Sequence, residues 1–597
     1  MTKYGDGVPR WGCVLALVVF LAWAPSLMAQ SASTGALTGT VMDPSGAVVP
    51  NATVTATSLS TDQARTTMTG SDGTYKIGLL PPGNYRVRFE AAGFKAVEVP
   101  SASVNVTETA VLDRKLEVGA QAQTVTVESS VETVQTENSA LGTVASARVI
   151  TELPLNTRNY TNLLAMSAGA NASVTNAAYI GKGATFIAVN GGGTAQNTYL
   201  QDGVPINNWF SFNTGGEGVE FGSFAIPIPD AIAEFKIQTS TYDAGYGRNP
   251  GANVNVITKS GSNNFHGSAF EFFRNTALNA NDWFRNFNGQ PKAVFNSNQY
   301  GGAVGGPIKK DKLFFFASYQ ETSQVNGITG YGTSSLTLPP LPSGDRGSCP
   351  AGWNGNLGLC TGNAAAFIQN LATNTSPACG VTAGRASTAG SVQVLCPASG
   401  AGGPLYNINP VAISLLQLKL PNGDYLVPSP GTGKFTPTTF TDPARFKDHN
   451  GMGNFDYVFN SKHTLSGRYA YEQDPINGAF PALNVTQITN AVPGHPVLVN
   501  KFNHAALLRL TSVLTPNLVN EARISYQRNN TVASVSSPFT NSQVGITSLT
   551  AAPGITTDGR TQGFASVAAL GGTAVGSTPG AVLPGLLSAK STPPTRS

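Results

Sequence analysis

Short runs in which apolar and polar residues alternate with a period of two dominate this chain. Leu37, Gly39 and Val41 precede a turn at Asp43–Gly46, and Ala52, Val54 and Ala56 alternate with Thr53, Thr55 and Thr57. After Ser71–Gly73, the positions Tyr75, Ile77 and Leu79 lead to a second turn at Pro81–Asn84. Tyr85, Val87 and Phe89 then alternate with Arg86, Arg88 and Glu90. Strands recurring roughly every 8 to 12 residues between Gly, Pro and Asp turns predict a small β-sandwich over residues 34–118. Residues 119–150 are polar and rich in Val, Thr and Glu, and read as a linker with one strand-like stretch, Thr124–Glu128. Over 151–262 the pattern changes to a short helix at Tyr160–Met166 followed by Gly-rich strands. Asn190–Gly193 there suits positive φ, and Asp202–Gly203 lies between apolar runs as a hairpin turn.

Beyond residue 262 the alternating runs lengthen. Phe455, Tyr457 and Phe459 oppose Asn454, Asp456 and Val458, and Leu465, Tyr469 and Tyr471 oppose Ser466, Arg468 and Glu472. The same design recurs around Thr515-Pro-Asn517, with Leu508, Leu510 and Leu514 before it and Ile524 and Tyr526 after it. Each arm is about 10 residues, the span of a tilted transmembrane strand, with aromatics toward the ends and short turns that would face the periplasm. Further strands are predicted at Phe265–Arg274, Gln299–Gly306 and Lys312–Glu321. Residues 263–530 therefore read as part of an outer-membrane β-barrel. Residues 322–448, rich in Gly, Ser, Pro and Asn, read as one long structureless external loop, and 531–597, with only Phe539 and Phe564 as aromatics, as a low-complexity tail.

Composition narrows the class. Of 597 residues only 11% are charged, against about 25% in ordinary domains, and the net charge is +4 without a basic cluster, so nothing points to nucleic acid. Residues 1–29 form a secretory signal: Lys3 and Arg10 precede an apolar run, Trp11–Trp23, too short to span a bilayer, and Met28-Ala29 ends it. An exported chain with no longer apolar segment is either soluble outside the cytoplasm or crosses a membrane as strands. Four cysteines, Cys349, Cys360, Cys379 and Cys396, fall within the long loop without C-x-x-C spacing. Local disulfides are expected, and of the three possible connectivities nearest-neighbour pairing, Cys349 with Cys360 and Cys379 with Cys396, is the simplest. His266, His449, His463, His495 and His504 form no metal-binding motif, and no nucleophile elbow or phosphate loop is present. No catalytic residue, cofactor or metal is expected, and the chain reads as a non-enzyme.

Several motifs resemble known families. Gly39-Thr-Val, Asp43, Gly46, Asp72-Gly73, Tyr75 and Pro82-Gly83-x-Tyr85-x-Val87, closing on Gly93-Phe94, resemble the carboxypeptidase regulatory-like domain, an accessory sandwich that implies no peptidase activity. Leu153–Tyr160, Val189–Gly191, Leu200–Gly203, Asp230–Phe235, Tyr246–Arg248 and Val256–Gly261 resemble, in order, the plug of TonB-dependent outer-membrane receptors of the Oar-like group. His266–Asn275 and Phe314–Phe316 resemble the first barrel strands of that group. The resemblance implies a mainly β protein: an N-terminal β-sandwich, an α+β plug domain at 151–262 and an incomplete transmembrane antiparallel β-barrel, located in the outer membrane and in contact with its lipid. It further implies a TonB complex of the inner membrane as partner, a TonB-contacting segment near Thr124–Glu128, and uptake of an external ligand such as a siderophore, oligosaccharide or peptide. Arg158, Asn190, Asp202 and Arg248 lie in the plug-like motifs. They either pair within the plug or against wall charges such as Asp456 and Arg468, or line a substrate path. About seven strands do not enclose a plug, which in this group needs a barrel of about 22 strands, so the chain is expected to be the N-terminal part of a longer receptor. The competing expectation is a secreted or surface carbohydrate-binding or adhesion protein without transport activity.

Overall fold

The computed structural model describes residues 33–119, 124–126, 140–155, 157–172, 180–182, 187–193, 196–207, 226–242, 246, 250–287, 289–328, 332–338, 392–395, 405–408, 418–420, 422–427, 436–480, 496–515, 518–535, 567–569 and 573–575. Residues 1–29, expected from the sequence to be a secretory signal, lie outside them.

The N-terminal body is a sandwich. One sheet holds β1 (Gly35–Met42), β4 (Thr74–Leu80), β7 (Thr109–Val111) and β8 (Arg114–Lys115). The other runs β3 (Ala64–Met68), β2 (Thr53–Ser58), β5 (Gly83–Glu90), β6 (Ala96–Val104) and β9 (Thr124–Thr126). The inward positions Val54, Ala56, Tyr85, Val87 and Phe89 close a core with Leu37, Tyr75 and Leu112. Leu79, expected on the core face, is displaced by a register shift in the β1–β4 ladder. It takes φ +52° and leaves Leu80 buried in its place. Thr124–Thr126, within the stretch read as linker, adds in parallel to the edge of this sandwich at Ala96–Glu98.

The second body is built on a five-stranded sheet, β10 (Leu141–Ser146), β15 (Ile232–Ser240), β16 (Asn253–Thr258), β13 (Thr198–Gln201) and β14 (Val204–Pro205), with a small ladder of β11 (Ala170–Ala172) and β12 (Ile187–Val189). Its first strand lies before residue 151 and the short helix α1 (Ala147–Glu152) begins before it. The plug sheet thus begins inside the predicted linker, because Val144 and Ala145 pair with Lys236 and Phe235. The segment Tyr160–Met166 is helical as expected, in the tighter 3₁₀ form, with Asn159 capping it by accepting from Thr161 N at 3.0 Å. One face of the sheet packs Phe235, Ile237, Val254 and Val256 against Tyr160, Leu163 and Leu164.

The third body is an eight-stranded antiparallel wall: β17 (His266–Arg274), β18 (Phe295–Lys309), β19 (Leu313–Asn326), β24 (Ala444–Asn460), β25 (His463–Gln473), β26 (Ile476–Gly478), β27 (Val497–Thr515) and β28 (Leu518–Val535). Several strands run to between 14 and 19 residues, well beyond the predicted ten. The long segment is not structureless: β20 (Thr333–Leu338) pairs with β23 (Thr436–Thr441), and β21 (Val392–Leu395) with β22 (Leu405–Ile408). Within the tail, β29 (Val567–Ala569) pairs with β30 (Thr573–Val575). The wall is inverted relative to a soluble sheet. Its outward face leaves Tyr300, Tyr319, Phe459, Tyr469, Ile524 and Tyr526 exposed, while Gln320, Thr322, Asp448, Asn450, Glu472, Lys501 and Asn503 are buried on the other. Apolar outside and polar inside is the arrangement of a strand that faces lipid on one side and a lumen on the other. The wall is open: among the described residues β17 and β28 are not paired with each other.

Candidate functional site

The polar face of the wall meets the plug, and the contact is organised by three buried charge clusters. The first centres on Arg158, held at φ +53° between Thr157 and the cap residue Asn159. Its guanidinium is ion-paired with Asp230 and donates through Nε to Gln320 Oε1 at 2.9 Å. It lies over the rings of Phe270 and Phe272 at 4.0 and 4.5 Å. Asp230 also accepts from Ser268 Oγ at 2.8 Å. Residues 268, 270 and 272 share one face of β17, so the period of two delivers a hydroxyl and two rings to one plug arginine. Burial pulls the Arg158 guanidinium below its ordinary value, and Asp230 opposes that shift.

The second cluster centres on Lys182. Its ammonium pairs with Glu472 and lies 3.3 Å from Asp448 Oδ2. Glu472 also accepts from Asn450 and Asn503, each at 3.2 Å, and Asp474 pairs with Lys501 at 2.6 Å. Burial would lower the Lys182 value, but Asp448 and Glu472 outweigh it and hold the ammonium above its usual range. Two lysines face three carboxylates, so the fully ionised cluster carries one excess negative charge. Gly181, at φ +73°, lets this loop approach the wall: a Cβ there would lie 3.0 Å from the Phe446 ring, and its N–H donates to Gln324 Oε1 at 2.7 Å.

The third cluster surrounds the predicted hairpin. Asp202 and Gly203 take φ +49° and +80°, and Gln201 pairs with Val204 across the turn. The Asp202 carboxylate accepts from Thr258 N at 3.1 Å and Thr258 Oγ1 at 2.7 Å. The wall reaches the same region. Arg468 pairs with Asp456 at 3.0 Å and donates to Ser260 Oγ at 2.9 Å; Arg523 donates to Gly203 O at 3.2 Å and Gln527 to Pro205 O at 2.8 Å.

Of the residues singled out in the sequence, Arg158 and Asp202 are therefore at plug–wall contacts. Asn190, at φ +50°, is exposed and donates to Thr239 O at 2.7 Å, a contact inside the plug. Arg248 and the four cysteines Cys349, Cys360, Cys379 and Cys396 lie outside the described residues. Lys182 and Asp448 escaped the sequence reading, and Asp230 stood in it only as the first residue of a plug-like motif. Glu472 was visible only as one polar position in an alternating strand, and nothing local marks it as the partner of a lysine 290 residues away.

The sandwich also touches the plug. Glu234 accepts from the Val106 N–H, and Lys236 pairs with Glu108 at 2.9 Å. Burial pushes the Glu234 carboxyl up to about 7; Glu108 adds to the rise, while the Val106 N–H and Lys236 oppose it. The register places Asn255 beside Lys236 and Asn253 beside Gln238 on β16. Both asparagine amides are enclosed without hydrogen-bond partners among the described residues.

Three family models match in sequence order: a carboxypeptidase regulatory-like domain over residues 36–117, a TonB-dependent receptor plug domain over 139–254, and an outer membrane beta barrel domain over 257–583. A TonB-dependent transporter Oar from Myxococcus xanthus is 27% identical over 331 residues, covering 52% of this chain and 29% of that protein. Among solved structures, the outer membrane transporter YddB from Escherichia coli aligns with TM-score 0.37 and 10% identity, over 66% of this chain and 39% of that one. A ferric enterobactin receptor (PfeA) mutant from Pseudomonas aeruginosa aligns with TM-score 0.30 and 11% identity, over 67% and 46%. The chain spans less than a third of the curated relative and less than half of either solved structure.

Proposed function

The chain belongs to the TonB-dependent outer-membrane receptors of the Oar-like group, and from that premise we propose that it serves uptake of an external ligand through a lumen closed by its plug. The observation that carries the reading is the inverted wall, whose apolar face is exposed and whose polar face grips the plug through Arg158, Lys182 and the Asp202 hairpin. A plug that must move on demand needs contacts that hold one state and can be traded for others. Buried ion pairs serve such switching better than a dry apolar seam, because their net contribution is small when intact and large when one partner is withdrawn. The force in this reading comes from a TonB complex acting on the segment ahead of β10. That strand is an edge of the plug sheet, paired among the described residues with β15 alone, so tension on it would unzip that one ladder. The ligand is a solute such as a siderophore, oligosaccharide or peptide.

The alternative of a secreted carbohydrate-binding protein expects the aromatic face of the long hairpins to be covered, whereas Phe459, Tyr469 and Tyr526 are about half exposed. Fractionation tests the reading. Carbonate-resistant pelleting with outer membranes and heat-modifiable mobility are expected, together with ligand uptake that stops when TonB is deleted. Recovery in the soluble periplasm or the medium would overturn it.

A further inference from the structure

A cavity of about 490 Å3 lies where sandwich, plug and wall meet, at the end of the wall with the short strand links. Its permanently charged lining is Arg65 from β3, Asp202 and Lys259 from the plug, and Asp456, Arg468 and Arg509 from the wall, four cations against two carboxylates. Both carboxylates are already committed, Asp456 to Arg468 and Asp202 to Thr258. Arg65, Lys259 and Arg509 have no carboxylate within ion-pair distance among the described residues. Arg509 donates to Ser33 Oγ at 3.1 Å and Ser466 Oγ at 3.5 Å, both neutral, and its Nε is enclosed with no acceptor.

Each of the three bodies thus contributes to the same half-open space one cation outside ion-pair distance of any carboxylate among the described residues, with Arg509 in the wider field of Glu521, Asp456 and Asp202 and Lys259 in that of Asp230. Cations removed from bulk water without a partner are unfavourable, and an anion held between them relieves all three at once. The volume is that of a small-molecule site. We propose that this junction is a binding site for a small oxyanion, a carboxylate- or phosphate-bearing solute, which bridges sandwich, plug and wall. The ligand class follows from the donor set: two forked guanidiniums and one ammonium repel a cation and offer a neutral sugar hydrogen bonds alone, whereas an oxyanion gains both hydrogen bonds and charge attraction.

The site stands on the cavity and its unpaired cations rather than on the uptake reading. Binding measured on the full chain in detergent does not involve transport, so either idea can fail without the other. Calorimetric titration at low ionic strength with citrate, pyrophosphate and inorganic phosphate is expected to show saturable one-to-one binding by at least one of them, with glucose as the neutral control. Preference for citrate assigns a carboxylate ligand, and preference for the phosphates assigns a phosphate ligand. The double variant R65Q/K259Q is expected to bind at least tenfold more weakly, and R65K/K259R, which keeps the charges, to stay within threefold of the unsubstituted chain. Circular dichroism and heat-modifiable mobility check that both variants fold. Absence of saturable binding by all three anions, binding undiminished in R65Q/K259Q, or equal binding of glucose would overturn the proposal.

Discussion

Replacing Arg158 by Ala removes one buried ion pair, one hydrogen bond to the wall and two cation–π contacts together. The Arg158 and Asp230 side chains are only 7% and 13% exposed, so solvent does little to screen their pairing. Withdrawing one partner of a buried pair costs about 3–5 kcal/mol, mostly through the stranded charge. The exchange of Ser268 Oγ and solvent for the lost guanidinium offsets part of that at Asp230, and each lost ring contact adds back about 0.5–2 kcal/mol. A net loss of about 3 kcal/mol is therefore expected for local opening of the plug against β17 and β19. Hydrogen exchange of the Leu163, Leu164 and Ile232 amides reads that opening directly. With a factor of ten for about 1.4 kcal/mol, exchange accelerates roughly a hundredfold. Arg158→Lys, which keeps the charge but not the planar stacking surface, falls between. The double variant Arg158→Met with Asp230→Leu leaves no uncompensated charge and is expected to cost less than either single change, with a coupling of at least about 2 kcal/mol. Additive effects, or acceleration under tenfold in R158A, would refute the assignment of Arg158 as a plug clamp.

Lys182→Met leaves Asp448, Glu472 and Asp474 facing only Lys501, and plug protection near Gly181 is expected to fall by about 3–5 kcal/mol; exchange rates unchanged from the parent count against the second clamp. The sandwich–plug contact is expected to respond to pH. The Glu234 value is raised from 4.5 to about 7, so docking is strongest below the unperturbed value and weakens as pH rises through about 7, by up to about 3 kcal/mol. Crosslinking between the two bodies across pH 4–8 measures this, and Glu234→Gln should flatten the profile; an unchanged profile in that variant removes Glu234 as its origin. On the outward face, Ile524→Arg is expected to destabilise the folded barrel region by about 2–4 kcal/mol near mid-bilayer depth, while Ser525→Arg, one residue along and pointing inward, changes stability little. Urea unfolding in lipid vesicles separates the two, and equal losses would contradict the inverted wall.

What was legible in the sequence follows the range of the interactions involved. The sandwich strands, the Asp202–Gly203 hairpin and the wall hairpins are set by periodicity and turn chemistry within about 20 residues, and those signals are local. The Leu79 slip shows their limit: a perfect alternation was broken by one bulge that only the partner strand imposes. The edge strand Leu141–Ser146 was read as linker because its pairing face is supplied by β15, about 90 residues later, and its own residues carry no strong alternation. The charge clusters were the least legible. Arg158 stood out through its motif, but its acid, Asp230, is 72 residues away and its ring partners lie on another body. Lys182 sits between glycines with no charged neighbour, and its carboxylates appear in sequence as ordinary polar positions of lumen-facing strands. In a soluble sheet such positions would face water and need no partner. Here the inversion of the wall buries them, so each charge on that face requires a counter-charge, either from a neighbouring wall residue, as Arg468 gives Asp456 and Lys501 gives Asp474, or from whatever fills the lumen. The same rule accounts for the clamps and for the cavity: where the plug supplies the opposite charge, as Lys182 does to Asp448 and Glu472, the wall is satisfied. Where plug and sandwich instead bring Lys259 and Arg65 to Arg509, the imbalance is left for a solute to neutralise.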